Sequence, residues 1–198
     1  MKKRTAFIGA ILSLIPLGQP LLINTGVVLS TLGLMLYVPQ KVHSETSTFY
    51  FKSALEKSKK GDHYGAISDY TKAIKIYPSE GSYYNRAISK RRLKDYYGAI
   101  SDYTKAIEIN PSESAYYNRG NAKYELKDHY GAISDYTKAI EINPSKSAYY
   151  NRGNAKTALK DYYGAISDYT KAIEIKSDFK SAYKNRGLAK RKIGDIEG

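Results

Sequence analysis

The side chains equipped for acid–base or nucleophilic work are few. The chain has three histidines, His43, His63 and His129, and no cysteine. Without cysteine there are no disulfides, thiolate zinc sites, thiol nucleophiles or lipid-bearing cysteine. A Ser-Asp pair recurs at Ser68-Asp69, Ser101-Asp102, Ser134-Asp135 and Ser167-Asp168, but no base stands beside it to activate the hydroxyl. His63 and His129 occupy one repeated position that Tyr96 and Tyr162 hold elsewhere, which reads as structural. No catalytic residue, metal site or cofactor is expected, so the chain is read as a binding protein and not an enzyme. The chemistry that does recur is that of recognition. Tyr-Tyr-Asn-Arg stands at 83–86, 116–119 and 149–152, with Tyr183-Lys184-Asn185-Arg186 as an altered fourth copy. An amide side chain both donates and accepts, and a guanidinium pairs with carboxylates.

These residues must be positioned by something periodic. Gly65 to Ile74 reads Gly-Ala-Ile-Ser-Asp-Tyr-Thr-Lys-Ala-Ile and returns unchanged at 98–107, 131–140 and 164–173, a period of 33. Each period reads as two helices. In the third, Ser114 to Leu126 forms helix A, Lys127 and Asp128 make the turn, and His129 to Asn143 forms helix B. Asp128 suits the N-cap. Ala132, Ile133, Tyr136, Ala139 and Ile140 fall on one face of helix B, and Pro144 stops it. A hairpin this small cannot enclose its own core, so it must stack on its neighbours. Arg86 with Asp102, Arg119 with Asp135 and Arg152 with Asp168 should then meet as ion pairs across each hairpin.

The array is preceded by a different kind of segment. Lys2, Lys3 and Arg4 lead into a run from Thr5 to Gln40 with no charged side chain, interrupted by Pro16, Pro20 and Pro39. Ala6 to Leu17 fits the apolar middle of a signal peptide, with Val42-His43-Ser44 as a cleavage site. Leu21 to Val38 is about 27 Å long as a helix, near the ~30 Å of a bilayer core. Residues 1–44 are therefore read as a signal peptide or a retained membrane anchor, with membrane contact through residues 6–38. Either way the domain at 45–198 is exported or membrane-associated on the far side, because the basic start stays in the cytoplasm.

From about Ser47 to its end the chain resembles the tetratricopeptide repeat family. The residues that carry the resemblance in the third unit are Tyr116, Gly120, Ala132, Tyr136, Ala139 and Pro144. The resemblance implies an all-α fold, a right-handed solenoid of helix-turn-helix hairpins, with repeats at about 47–79, 80–112, 113–145 and 146–179 and a closing helix at 180–198. Helix A of that last unit, Ser181 to Ile193, is strongly basic and suits a cap, while Gly194 to Gly198 reads equally as the start of another helix B. Four departures from the family pattern stand out. Arg86, Arg119, Arg152 and Arg186 replace an apolar residue. Lys90, Lys123, Lys156 and Lys190 replace a favoured Tyr, and their stems are expected to pack with the heads outward. Lys94, Lys127 and Lys160 replace the turn glycine kept at Gly61 and Gly194, and each would carry a modest local cost if the positive φ persists there. Ser177 replaces the closing proline in a final step of 34, which predicts a different angle there.

The resemblance also implies that A helices line a concave groove where a protein or peptide partner binds. Carried over, it assigns Tyr84, Asn85, Ile88, Arg91 and Arg92 from unit two, and Tyr117, Asn118, Asn121, Tyr124 and Glu125 from unit three. Unit four gives Tyr150, Asn151, Asn154 and Thr157, and the last helix gives Lys184, Asn185, Leu188 and Arg191. A clamp for a terminal carboxylate would need Lys beside Asn, where Tyr84, Tyr117 and Tyr150 stand. The expected function is a scaffold holding a peptide segment or partner protein, with no small-molecule substrate. With 32 Lys and Arg against 19 Asp and Glu, a net charge of +13, the alternative is single-stranded nucleic acid or another polyanion on the basic repeat surface.

Overall fold

The computed structural model describes residues 40–194. The chain divides into two units, Met1–Glu45 and Thr46–Gly198, and the second carries the repeats. The helices are α1 (Gln40–Lys59), α2 (His63–Ile76), α3 (Glu80–Arg92), α4 (Tyr96–Ile109), α5 (Glu113–Glu125), α6 (His129–Ile142), α7 (Lys146–Ala158), α8 (Tyr162–Ile175) and α9 (Lys180–Lys192). Odd helices are the A helices and even ones the B helices. From α2 onward each packs mainly on its neighbours in sequence, and α5 also touches α7 as α7 touches α9, whereas no two successive B helices approach to that extent. The A helices therefore form the tighter, inner wall of the stack. Nearly all of the charge-free run, with the basic start before it, lies outside the described residues. Among those described, no helix is long and apolar enough to cross a membrane. The Val42-His43-Ser44 segment lies inside α1.

Local chemistry sets the helix ends. Asp62, Asp95, Asp128 and Asp161 cap the B helices, each carboxylate accepting from the amide of the glycine three residues on. Ser79, Ser112 and Ser145 cap the A helices in the same manner, satisfying amides that a helix start leaves free. Lys94, Lys127 and Lys160 keep the positive angle, with φ of 62°, 62° and 63°, beside Gly61 and Gly194 at 82° and 81°. At the last joint Phe179 occupies the cap without a side-chain hydrogen bond. Its ring packs on Tyr150, centroids 4.9 Å apart.

The core is narrow and small-residue rich. Ala66, Ala73, Ala99, Ala106, Ala132, Ala139, Ala165 and Ala172 are fully buried, with Tyr70, Tyr103, Tyr136 and Tyr169 the largest enclosed side chains. A Cβ on Gly120 would lie 2.8 Å from Cε1 of Tyr136, and one on Gly153 would lie 2.7 Å from the same atom of Tyr169. The glycines thus admit the tyrosine ring against helix A. One residue further on, Asn121 and Asn154 accept from those phenols, each at 2.8 Å. Units one and two carry Ala54-Leu55 and Ala87-Ile88 instead. Gly with Asn, or Ala with an aliphatic residue, are two alternative seats for the same tyrosine.

The recurring Asp is the polar centre of each hairpin. Asp135 is 2 % exposed and accepts from Nε and Nη2 of Arg119 at 2.9 and 2.7 Å. Asp102 and Asp168 receive Arg86 and Arg152 in the same forked way. The outward Lys heads expected from sequence are corrected by the structure. Nζ of Lys90, Lys123 and Lys156 turns in to 2.8 Å from Asp102, Asp135 and Asp168, because a buried carboxylate has acceptor capacity that one Arg leaves unfilled. Each Arg also lies over the ring of the first Tyr of its motif, 5.5 Å for Arg119 over Tyr116. Its Nη1 donates to the preceding B helix, Arg119 to Thr104 at 3.0 Å. One residue type therefore joins two repeats. In unit one, Ser53 and Lys57 from α1 and Lys72 from α2 itself hold Asp69.

Two predictions follow from this packing. Gly120→Ala should cost about 1–3 kcal/mol by displacing Tyr136 from Asn121. Gly187→Ala, where a Cβ meets nothing within 4 Å, should be neutral or gain up to ~1 kcal/mol of helix propensity. Equal denaturation midpoints for the two variants would refute the ring-seat account. The second concerns pH. Burial pushes the Asp69 carboxyl up, but hydrogen bonds from Lys57, Ser53 and Lys72 outweigh it and hold the group at about 2, below its ordinary 3.8. A depressed carboxylate stabilises the fold above its unfolded value and loses that contribution as pH falls from about 4 to about 2. Chemical denaturation should show Asp69→Asn with an acid-induced stability loss smaller by about 2 kcal/mol over that window.

Candidate functional site

The inner wall is built from the recurring Tyr-Tyr-Asn-Arg block, and each of its letters has a distinct partner. The first Tyr lies under the Arg. The second packs on the buried tyrosine of its own B helix, Tyr84 on Tyr103, Tyr117 on Tyr136 and Tyr150 on Tyr169, with centroids 5.7, 5.9 and 5.8 Å apart. The Asn reaches back one repeat. Nδ2 of Asn118 donates to Tyr84 Oη at 2.9 Å, that of Asn151 to Tyr117 Oη at 3.0 Å and that of Asn185 to Tyr150 Oη at 3.0 Å. Asn85 has no such hydroxyl below it, since Phe51 stands there, and bonds Gly81 O.

A second rung of amides lies one helical turn on. Asn121 Oδ1 accepts from both Tyr136 Oη and Asn151 Nδ2, and Asn154 Oδ1 from both Tyr169 Oη and Asn185 Nδ2. This network fixes the orientation of every amide. Asn151 and Asn185 spend both N–H groups inside the protein and keep only Oδ1 for a ligand. Asn118 does the same through Tyr84 and Ser114. Asn121 and Asn154 spend Oδ1 and keep only N–H donors. Along the wall the remaining groups alternate, acceptor then donor, as an extended peptide backbone does.

Two cavities open on this wall. One of about 280 Å³ is lined by Arg91, Asn121, Tyr124, Glu125, Tyr136, Asn151 and Asn154. The next, about 430 Å³, is lined by Tyr124, Asn154, Thr157, Ala158, Tyr169, Asn185 and Leu188. They share Tyr124 and Asn154 and so form one groove. Of the residues assigned from sequence, Tyr84, Asn85, Ile88, Arg92, Tyr117, Asn118 and Tyr150 line neither cavity. Lys184 and Arg191 are exposed on α9, also outside both. Tyr136, Tyr169 and Ala158 line the groove without having been assigned. The two tyrosines carried only a core signal, because their rings are buried while the phenol ends reach the wall. Burial alone raises Tyr70 to about 12, and it likewise leads the upward push on Tyr136 and Tyr169. These phenols stay neutral donors at physiological pH. His129 stacks edge-on against Tyr124, centroids 5.1 Å apart, in keeping with a structural place. Among the described residues no cluster of three potential metal ligands occurs.

The comparisons with known proteins agree with this architecture. The family model described as tetratricopeptide repeat matches residues 82–113, 114–146 and 147–179, and a second model of the same description matches 47–80. Comparison with curated proteins gives no match. Among solved structures, the chain is similar to the crystal structure of the MamA protein, with 30% identity and a TM-score of 0.75 over 77% of this chain and 85% of that one. It is similar to YrrB, a repeat protein described as having an unusual peptide-binding site, at 19% identity and a TM-score of 0.68 over 75% and 78%. A third is the first repeat domain of Spaghetti (RPAP3) bound to the HSP90 peptide SRMEEVD, at 29% identity and a TM-score of 0.57 over 59% and 94%. With two family models spanning most of residues 47–179 and a stack of capped hairpins to match, the chain belongs to the tetratricopeptide repeat family.

Proposed function

We propose that the stack is a scaffold that holds an extended segment of a partner protein along the inner wall. The observation that carries this reading is the fixed polarity of the two amide rungs. Asn118, Asn151 and Asn185 offer acceptors, and Asn121 and Asn154 offer donors, at positions that repeat with the helices. Such a wall pairs with a main chain whatever its side chains, and Tyr124 and Leu188 supply apolar contact at the edge. The repeat domain of Spaghetti, bound to a peptide, supports the same use of the fold. The charge-free run from Thr5 to Gln40 is proposed to hold this scaffold at a membrane, on the side opposite the basic N-terminus. A continuous α1 across Val42-His43-Ser44 supports retention of that segment, since cleavage there would cut the first helix.

The test is affinity capture from membranes with the full chain. Ala158→Trp fills the groove from an exposed helix end without removing a hydrogen bond, and should abolish capture of the partner. The double variant Asn118→Ala, Asn151→Ala should weaken capture too, and should also cost about 1 kcal/mol per lost amide bond in denaturation, because these amides tie adjacent repeats. Undiminished capture by both variants would remove the groove from the function. Deletion of residues 1–39 should move the protein from the membrane fraction to the soluble one; retention in the membrane would count against the tether.

A further inference from the structure

Unit two departs from units three and four where the first cavity begins. Ile88 stands where units three and four have Asn121 and Asn154, and Arg91 stands where they have Tyr124 and Thr157. The consequence is visible at the buried tyrosine. Tyr136 and Tyr169 donate to the asparagines, but Tyr103, with no exposed surface, has no acceptor for its hydroxyl. Ile88 cannot accept, and Arg91 has donors only. Nε of Arg91 is itself buried and without a partner. Burial pushes the Tyr103 phenol up to about 12, opposed by the nearby charge of Arg91, so the hydroxyl keeps its proton. Asn121, on the same wall, has spent its acceptor. A guanidinium and an amide N–H group thus face one cavity, and Nε of Arg91 and the Tyr103 hydroxyl beside it are left unpaired. Buried donors left unpaired cost stability, and no carboxylate among the described residues pairs with Arg91.

We infer that the segment bound in the groove carries an Asp or Glu side chain that enters this cavity and pairs with Arg91 and Asn121. The inference rests on the peptide-binding reading above and specifies the ligand. A carboxylate brings two oxygens and so serves a guanidinium and a neighbouring amide together. Glu125 lines the same cavity without completing Nε of Arg91. Its negative charge favours a single-charged carboxylate over a phosphate dianion. The two cavities run on from one another, so the ligand passes through and contributes a side chain here.

The experiment is selection from a random nonapeptide library in two formats. One displays the peptide internally, with no free end, and the other displays it with a free C-terminus. The full chain is the target, and binders are kept only if Ala158→Trp abolishes them. Internal display should return peptides with one acidic position, and changing that residue to Gln or Asn should weaken binding roughly tenfold. Against Arg91→Gln, whose folding is checked by its thermal transition, the acidic and amide peptides should bind alike. Groove-dependent peptides with no acidic position, or an equal loss against wild type and Arg91→Gln, would overturn the inference and leave the groove reading intact. Binders from the free-terminus format alone would also overturn it, in favour of a chain-end carboxylate. If no peptide depends on the groove, or only a single-stranded oligonucleotide does, both the inference and the reading beneath it fail.

Discussion

The structure depends on a buried aspartate. Each of Asp102, Asp135 and Asp168 lies almost without solvent beneath a forked Arg and a Lys from the neighbouring A helix. A buried ion pair of this kind is poor evidence for net stability, since desolvation offsets most of the attraction. Its geometry is what counts. The fork admits one approach of helix A to helix B, and the remaining N–H of the Arg fixes the hairpin against a threonine one repeat back. Alanines and glycines alone would let the helices slide, because a smooth surface of small side chains specifies closeness but not register. The carboxylate supplies the register, and the small residues supply the closeness.

The ends of the array show what happens when the device is incomplete. In unit one, Ser53 stands where the Arg would be, and Lys72 makes up the charge from within α2 itself. In α9 the Arg is retained, and Arg186 still reaches back to Thr170 at 3.3 Å and lies over Tyr183. That backward bond, with the buried Ala182 and Ala189, ties α9 to the stack.

Much of this was legible in the letters. Identical ten-residue blocks at a fixed period gave the hairpins, Asp128 before His129 gave the cap, and the joint recurrence of Arg119 and Asp135 gave the pair. The lysines were misread, because a charged residue at a half-buried position is ordinarily resolved by turning outward. Only the geometry shows that the aspartate below still has a free lone pair. The amide rungs were half legible. A recurring asparagine marks a used position, but which of its two polar atoms is spent depends on a phenol 34 residues away. The A-helix caps Ser79, Ser112 and Ser145 each follow a proline, a pattern that the letters also carry.

Repetition also shows where specificity is stored. The B helices share ten unchanged residues in every unit, so they cannot distinguish one position along the groove from another. Differences along the inner wall come from the A helices, among them Ile88, Arg91 and Arg92 in unit two, Asn121, Tyr124 and Glu125 in unit three, and Asn154, Thr157 and Ala158 in unit four. These triplets occupy equivalent places, and they change from cationic to polar-aromatic to small along the array. A repeated frame with unrepeated wall residues is what a scaffold needs to fix a ligand's direction and register. Where the amide rungs repeat, the main chain of the ligand could otherwise shift by one repeat at little cost in hydrogen bonds, and a side chain matched to one triplet prevents it.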